Sequence, residues 1–102
     1  MKLISNRQKD ELYVKLSGEL DEHSAALARR EADRLADSNA DCGRVVFDLA
    51  DVSFMDSTGI GFLIGRYKKF NRYGVKVCVA NPSQGTDKIL SMSGVYSLIR
   101  KL

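Results

Sequence analysis

The chain has 102 residues, of which 44% are hydrophobic and 28% charged, proportions typical of a soluble globular protein and unlike those of a disordered or membrane-embedded one. Its length predicts one domain over residues 1–102, and its net charge of +3 is too small and too evenly interspersed with acids to indicate nucleic-acid binding. The N-terminus lacks the apolar core of a signal peptide, and no apolar run approaches the roughly 20 residues that span a bilayer, so we expect a cytoplasmic protein with no membrane attachment.

The first half of the chain predicts a β-hairpin, one helix and a central strand. The predicted strands are residues 3–4, 12–16 and 44–49, and the predicted helix is residues 22–37, with an apolar stripe built mainly of alanine. Asp21 is the expected N-cap of this helix, because the segment Gly18–Asp21 interrupts the strand pattern before it. Leu27 falls outside the stripe and is expected on the surface. The helix residues expected to face water are Arg29, Arg30, Asp33 and Arg34.

The second half predicts two more helices and two more strands. The helices are residues 57–71 and 84–92, and the strands are residues 75–80 and 96–100. Gly74 and Gly94 are placed to end the helices in the left-handed conformation. Because helices alternate with strands, right-handed crossovers and parallel pairing are expected. We therefore predict an α/β fold: a mixed, mostly parallel sheet with an N-terminal β-hairpin and helices packed against it.

The cysteines and the basic residues give no sign of a metal or nucleic-acid site. Cys42 and Cys78 are too few for a disulfide framework or a paired metal-ligand motif, and Cys78 lies in an apolar run typical of the core. The local basic cluster is predicted to be a solvated helix face. Its members are Arg66, Lys68, Lys69 and Arg72.

The most informative segment is the one in which the third strand gives way to a helix. Asp56, Ser57 and Thr58 form a polar cluster where free backbone N–H groups and the positive end of the helix dipole are expected to converge. One interpretation is a capping turn, in which Asp56 or Ser57 accepts a hydrogen bond from an N–H two or three residues later. The other is a functional hydroxyl displayed at the start of the helix.

Three glycines favour the functional interpretation. Gly59, Gly61 and Gly65 each cost about 1 kcal/mol relative to alanine within a helix, which a purely structural helix has little reason to accept. Thr58, Gly61 and Gly65 fall on one helix face. Small residues there allow another protein's backbone to approach closely, and Phe62 beside them is an expected apolar anchor for a partner.

Enzymatic alternatives fit the residues poorly. The spacing Gly-x-Gly-x-x-x-Gly is one residue longer than the dinucleotide fingerprint, and the Gly-Lys-Ser/Thr of a P-loop is absent. Ser57 is not part of a Gly-x-Ser-x-Gly motif, and the single histidine, His23, is expected on the surface at the start of the first helix. We therefore expect no catalysis, no metal and no cofactor, with a serine hydrolase as the enzymatic alternative.

Four segments of this sequence resemble the STAS-domain anti-sigma factor antagonists, particularly the SpoIIAA type. The segments Phe54–Gly61 and Gly65–Lys68 carry the closest resemblance. Gly18–Asp21 resembles the signature before the family's first helix, and Met92–Tyr96 resembles its Met-Ser-Gly-Leu-Phe segment. The resemblance extends from about residue 11 to the end of the chain and implies a STAS-type fold.

The resemblance also implies a mechanism of partner switching. In that family the serine after the aspartate, here Ser57, is phosphorylated by an anti-sigma factor that is a serine kinase, and a PP2C-type phosphatase reverses the modification. The unphosphorylated protein binds the kinase and frees a sigma factor, and phosphorylation abolishes this. We expect a monomer when free. The expected partner-binding residues are Asp21, Asp56, Ser57, Thr58, Gly59, Gly61, Phe62 and Gly65.

A different role within the same family is the main alternative. The chain would then be a STAS scaffold module, never phosphorylated, in a stress-signalling or lipid-transport complex.

Overall fold

The computed structural model describes all 102 residues as a five-stranded sheet with three α-helices. The strands are β1 (Lys2–Gln8), β2 (Glu11–Leu20), β3 (Arg44–Met55), β4 (Lys76–Ala80) and β5 (Arg100–Lys101). The helices are α1 (Ala25–Ser38), α2 (Ser57–Arg72) and α3 (Gln84–Ser93), and a 3₁₀ turn (Val95–Ser97) follows α3. No helix is both long enough and apolar enough to cross a membrane.

The strands pair in the directions that the sequence predicts. They lie in chain order, with β3 at the centre; β1 pairs with β2 antiparallel, and every other pair is parallel. The antiparallel hairpin needs only the two residues Lys9 and Asp10 as its turn, because Gln8 already pairs with Glu11. The predicted mixed, mostly parallel α/β fold is confirmed.

One core joins the buried side of the sheet to all three helices. Alternate residues of β3, including Val45 and Phe47, project into it because side chains alternate along a strand. Of the apolar stripe predicted for α1, Ala28 and Ala32 are buried, whereas Ala25 and Leu35 are only partly buried. Ala36 completes the buried alanine face, which lets this helix pack closely. Phe47 makes edge-on contacts with Phe62 and Phe70 at centroid distances of 6.2 and 6.0 Å. Cys78 is also buried, in a smaller cluster with Val46 and Ala80.

Several predicted boundaries in the first half are wrong. Strand β2 does not stop before Gly18 but continues to Leu20; Gly18 adopts φ +109°, and the β2–β3 register shifts beside it, so the strand bends without ending. Strand β3 continues to Met55 because it stays paired with the longer β2. Asp21 is not the N-cap of α1, whose N-cap position is Ser24.

The second half agrees more closely. Gly74 and Gly94 both have positive φ, +78° and +80°, and end α2 and α3 as predicted. The predicted strand over residues 96–100 is wrong in extent, because a 3₁₀ turn occupies its first part and only Arg100–Lys101 pair with β4. Leu27 is 67% exposed, which confirms its predicted surface position.

Candidate partner-binding site at the start of the second helix

Two aspartates follow directly after neighbouring strand ends at one edge of the sheet. Leu20, the last residue of β2, pairs with Met55, the last residue of β3, and the strands run parallel. The next residue on each strand is an aspartate, Asp21 and Asp56. The sequence separates these residues widely, and the parallel register brings them to the same edge, next to the start of α2.

Asp56 caps α2. Its Oδ1 accepts a hydrogen bond from the Thr58 N–H at 2.9 Å, and its backbone is extended, as expected at an N-cap. Of the two capping arrangements that the sequence allows, the structure therefore has the one with aspartate as the acceptor. Ser57 is the first residue of the helix and is exposed. The cap does not use the Ser57 hydroxyl, so helix initiation gives no reason for a serine at this position.

The expected convergence of several free N–H groups at this turn is wrong. The Thr58 N–H is bonded to the Asp56 side chain, and the Gly59 and Ile60 N–H groups donate to the Asp56 carbonyl oxygen at 3.0 and 3.3 Å. What remains to favour negative charge beside Ser57 is its own N–H, which has no acceptor, and the positive end of the helix dipole.

Asp21 organises the turn before α1. Partial burial opposes ionisation, but hydrogen bonds from the backbone N–H groups of Ser24 and His23 to the carboxylate hold the pKa of Asp21 below its ordinary value. The His23 side chain is 86% exposed, as predicted. Asp21 is thus a fixed negative charge at the edge that it shares with Asp56.

Gly59 has a structural role, contrary to the expectation that none of the glycines does. It is buried, and a Cβ atom at this position would lie 2.3 Å from Met55 Cγ and 3.3 Å from Leu20 Cγ. Only glycine lets α2 pack this closely on the ends of β2 and β3. Because Gly59 faces the core, its expected part in partner binding does not fit the structure.

Gly61 and Gly65 have no such explanation. A Cβ atom at either position would meet nothing within 4 Å. Both line a groove of about 350 Å³ between α1 and α2, together with Thr58, which confirms that these three residues share one face. Packing within the domain therefore does not require glycine at these two sites.

Phe62 is not a protruding anchor, and that expectation is wrong. Its side chain is 4% exposed and packs edge-on against Phe47, so it contributes to the core and lines the groove from below. The exposed apolar side chains near the site are Leu27, at 67%, and Phe54, at 50%. The exposure of Phe54 was not predicted, because the strand pattern alone does not distinguish the two sides of β3 near its end.

Arg66 is buried, whereas the sequence predicted a solvated cluster. It is 6% exposed, its Nε lies 2.8 Å from Asp33 Oδ1, and its guanidinium lies 5.2 Å from the centre of the Phe62 ring. Asp33, also predicted to face water, is half-buried beside it. Lys68 and Arg72 are exposed as predicted, and Lys69 is paired with Asp37 at 3.0 Å. Helix α1 covers the part of α2 that carries Arg66.

Burial is the main influence on the ionisation of Arg66. It lowers the pKa of the guanidinium, the negative charge of Asp33 raises it, and the positive charge of Arg29 lowers it further. Arg29 also lines the groove. No local sequence pattern indicates a pair of arginines here, since Arg29 lies on α1 and Arg66 on α2.

Comparisons with known proteins show which family and which fold the chain shares. The family model for the STAS domain matches residues 3–102. The chain is 36% identical over 88 residues to an anti-sigma F factor antagonist of Paenibacillus polymyxa, covering 86% of this chain and 74% of that protein. It is 31% identical over 93 residues to an anti-sigma-B factor antagonist of Bacillus subtilis strain 168, covering 91% and 83%.

Among solved structures, the anti-sigma factor antagonist SpoIIAA in its unphosphorylated form superposes with a TM-score of 0.81 at 22% identity, covering 99% of this chain and 88% of that one. The phosphorylated form of Bacillus SpoIIAA gives a TM-score of 0.72. The shared fold extends over nearly the whole chain.

Proposed function

The chain belongs to the STAS domain family, and from this membership we propose that it is an anti-sigma factor antagonist controlled by phosphorylation of Ser57. Its unphosphorylated form binds an anti-sigma factor that is a serine kinase and thereby frees a sigma factor. Phosphorylation of Ser57 ends this binding, and a PP2C-type phosphatase restores it. The two relatives above, both anti-sigma factor antagonists, support the general role.

The observation that carries the proposal is the position of Ser57. The residue is exposed at the start of α2, while Asp56 makes the capping hydrogen bond. The hydroxyl is thus accessible to a kinase, and no contact that begins the helix depends on it. A modification there leaves the domain folded and changes only its surface.

The charges around Ser57 explain how a phosphate would switch binding. Phosphorylation adds about −1.5 to −2 charges at neutral pH, which the dipole of α2 stabilises in the free protein. In a complex, the same charge is desolvated close to Asp56, and Asp21 lies at the same sheet edge. Where the partner offers no matching cation, like-charge repulsion and desolvation cost several kcal/mol, enough to weaken a transient complex by orders of magnitude. The partner therefore dissociates.

The surface around Ser57 is suited to a protein partner. Because Gly61 and Gly65 have no side chains, a partner's backbone can lie close to this face of α2. Leu27 supplies exposed apolar area in a shallow depression that also includes Asp21. Asp56, Ser57 and Thr58 lie at one end of this surface. Its expected members Gly59 and Phe62 act from beneath it, by positioning α2.

Phosphate transfer tests the proposal. The purified chain is incubated with ATP and the anti-sigma factor kinase encoded in the same genome, and the products are analysed by mass spectrometry. We expect one phosphate on Ser57, none in a Ser57→Ala variant, and unchanged modification in a Thr58→Val variant. Absence of phosphate from both Ser57 and Thr58 would overturn the proposal and favour a STAS scaffold that does not cycle through phosphorylation.

A further inference from the structure

The guanidinium of Arg66 lacks the hydrogen bonds that a buried cation requires. Its Nε and Nη1 atoms are both buried and have no aligned acceptor. Asp33 Oδ1 lies 2.8 Å from Nε, within ion-pair distance, but the N–H does not point at the oxygen, and Oδ1 is itself unpaired. An arginine presents five N–H donors, and leaving them unpaired in a buried site is costly.

The groove that Arg66 lines has an unbalanced charge. Its lining residues include two cations, Arg66 and Arg29, and no carboxylate. The two arginines are close enough for the charge of one to lower the pKa of the other. Asp33 is the one acid paired with Arg66, and it is partly turned to solvent. The site therefore attracts a further negative group.

The groove also admits a side chain from outside. Gly61 and Gly65 leave open space where any other residue would place a Cβ atom. The volume of about 350 Å³ is ample for one acidic side chain. Phe62 and Ala25 provide apolar surface for the methylene stem of such a residue, whereas a free phosphate would find few donors beyond the arginines and Thr58.

On these grounds we propose that the groove between α1 and α2 receives a carboxylate side chain of the docked protein partner, bound by Arg66 and Arg29. Arginine and carboxylate match in a bidentate geometry, which gives position as well as affinity. This inference rests on the proposed function, because it assigns the groove to the anti-sigma factor kinase. It also explains why α2 has small residues on this face: Gly61 and Gly65 leave the buried Arg66 accessible to a partner side chain.

Binding measurements on charge variants test the inference. The anti-sigma factor kinase of the same genome is purified with a non-hydrolysable ATP analogue, so that Ser57 stays unmodified, and its affinity is measured by calorimetry. Arg29→Gln and Arg66→Met are each expected to weaken binding by about 10-fold. Arg30→Gln is the matched control, since it removes the same charge from an exposed position of α1 outside the groove and is expected to change affinity by less than about 2-fold.

An Asp33→Asn variant distinguishes a role of Arg66 in partner binding from a role in holding the two helices together. If Arg66 receives a partner carboxylate, removing the competing acid strengthens binding, by about 3-fold. If the Arg66–Asp33 pair serves only to hold α1 on α2, the same variant binds more weakly. Circular dichroism checks that Arg66→Met is folded, and Arg29→Gln, at an exposed position, provides the test should that variant unfold.

The outcomes distinguish the inference from the proposed function. Weaker binding by Arg29→Gln and Arg66→Met with an unchanged Arg30→Gln supports the carboxylate site. Equal affinity for all variants overturns it and leaves the proposed function standing. Competition by millimolar inorganic phosphate that disappears in Arg66→Met would assign the groove to a free anion and also overturn it. Failure of the wild-type chain to bind the kinase overturns both.

Discussion

Alanine substitutions at the three glycines of α2 should have opposite effects on stability. At Gly59, the added methyl group would lie 2.3 Å from Met55 Cγ, 3.1 Å from Met55 Sδ and 3.3 Å from Leu20 Cγ. Met55 and Leu20 are fully buried, so neither can move aside without disturbing the core. Overpacking of this kind costs about 1–3 kcal/mol, and the first contact is short enough to place Gly59→Ala near the upper end.

The helix propensity of alanine offsets part of that cost. Replacing glycine by alanine within a helix contributes about 1 kcal/mol of stability, so Gly59→Ala is expected to be less stable than wild type by about 1–2 kcal/mol. Gly61→Ala and Gly65→Ala meet no atom within 4 Å and are expected to be more stable by about 0.5–1 kcal/mol.

Urea unfolding followed by circular dichroism measures these differences directly, and a thermal scan should show Gly59→Ala melting below Gly61→Ala by at least about 6 °C. The two variants carry the same chemical change on the same helix, so propensity alone predicts that they behave alike. Equal stability of Gly59→Ala and Gly61→Ala would refute the close packing of α2 on the strand ends.

The remaining predictions concern the cap, the docking face and one tyrosine. Asp56→Ala loses the hydrogen bond from the Thr58 N–H and should destabilise the domain by about 1 kcal/mol in the same urea assay. Ser57→Ala should change stability by less than about 0.5 kcal/mol. A larger loss of stability in Ser57→Ala than in Asp56→Ala would show that Ser57 is the cap. Gly61→Leu should leave the fold intact and weaken kinase binding by about 10-fold in calorimetry, because the leucine side chain would fill the space that a partner's backbone needs. Unchanged binding would place the interface elsewhere. The hydrogen bond of Tyr13 to Asp48 at 2.6 Å, with burial, raises the pKa of Tyr13 to about 12, and ring-carbon NMR should show this value fall in Asp48→Ala. Because the folded-state pKa is above the unfolded value, this contribution to stability is complete below about pH 10 and is lost as the pH rises toward 12. Tyr13→Phe should reduce this alkaline loss without abolishing it, because the pKa values of Tyr73 and Tyr96 are also raised.

Local patterns in the sequence were enough to predict most of the fold. Helix α2 was predicted over residues 57–71 and is observed over Ser57–Arg72, because its apolar periodicity and Gly74 mark it without reference to other elements. The same is true of α3 and Gly94. The end of β2 was predicted wrongly, because Gly18 permits a bend only while β3 continues alongside it.

Apart from Asp21, which the family resemblance indicated, the site was predictable only in the part that lies on one segment. Asp56, Ser57 and Thr58 were identified together because they are adjacent. Gly59 and Gly61 look alike in sequence, and their different roles depend on Met55 and Leu20, which lie on the strands beneath.

Phe62 and Arg66 were predicted to be exposed and are buried, again because the residues that cover them lie on other elements. An aromatic residue beside glycines resembles an exposed anchor, and an arginine among lysines resembles a solvated face. Helix α2 packs against both the sheet and α1, and these contacts bury Phe62 and Arg66. The sequence of α2 alone does not show which of its faces other elements cover. The partner of Arg66, Asp33, is 33 residues earlier on α1, and no local pattern links the two.

The most direct test compares the affinity of unmodified and Ser57-phosphorylated protein for the anti-sigma factor kinase, with amide NMR spectra of both forms recorded alongside. Phosphorylation is expected to weaken binding by at least about 100-fold while shifting only signals near the start of α2. Unchanged affinity of the phosphorylated protein, or loss of binding accompanied by unfolding of the domain, would contradict a switch that acts through surface charge alone.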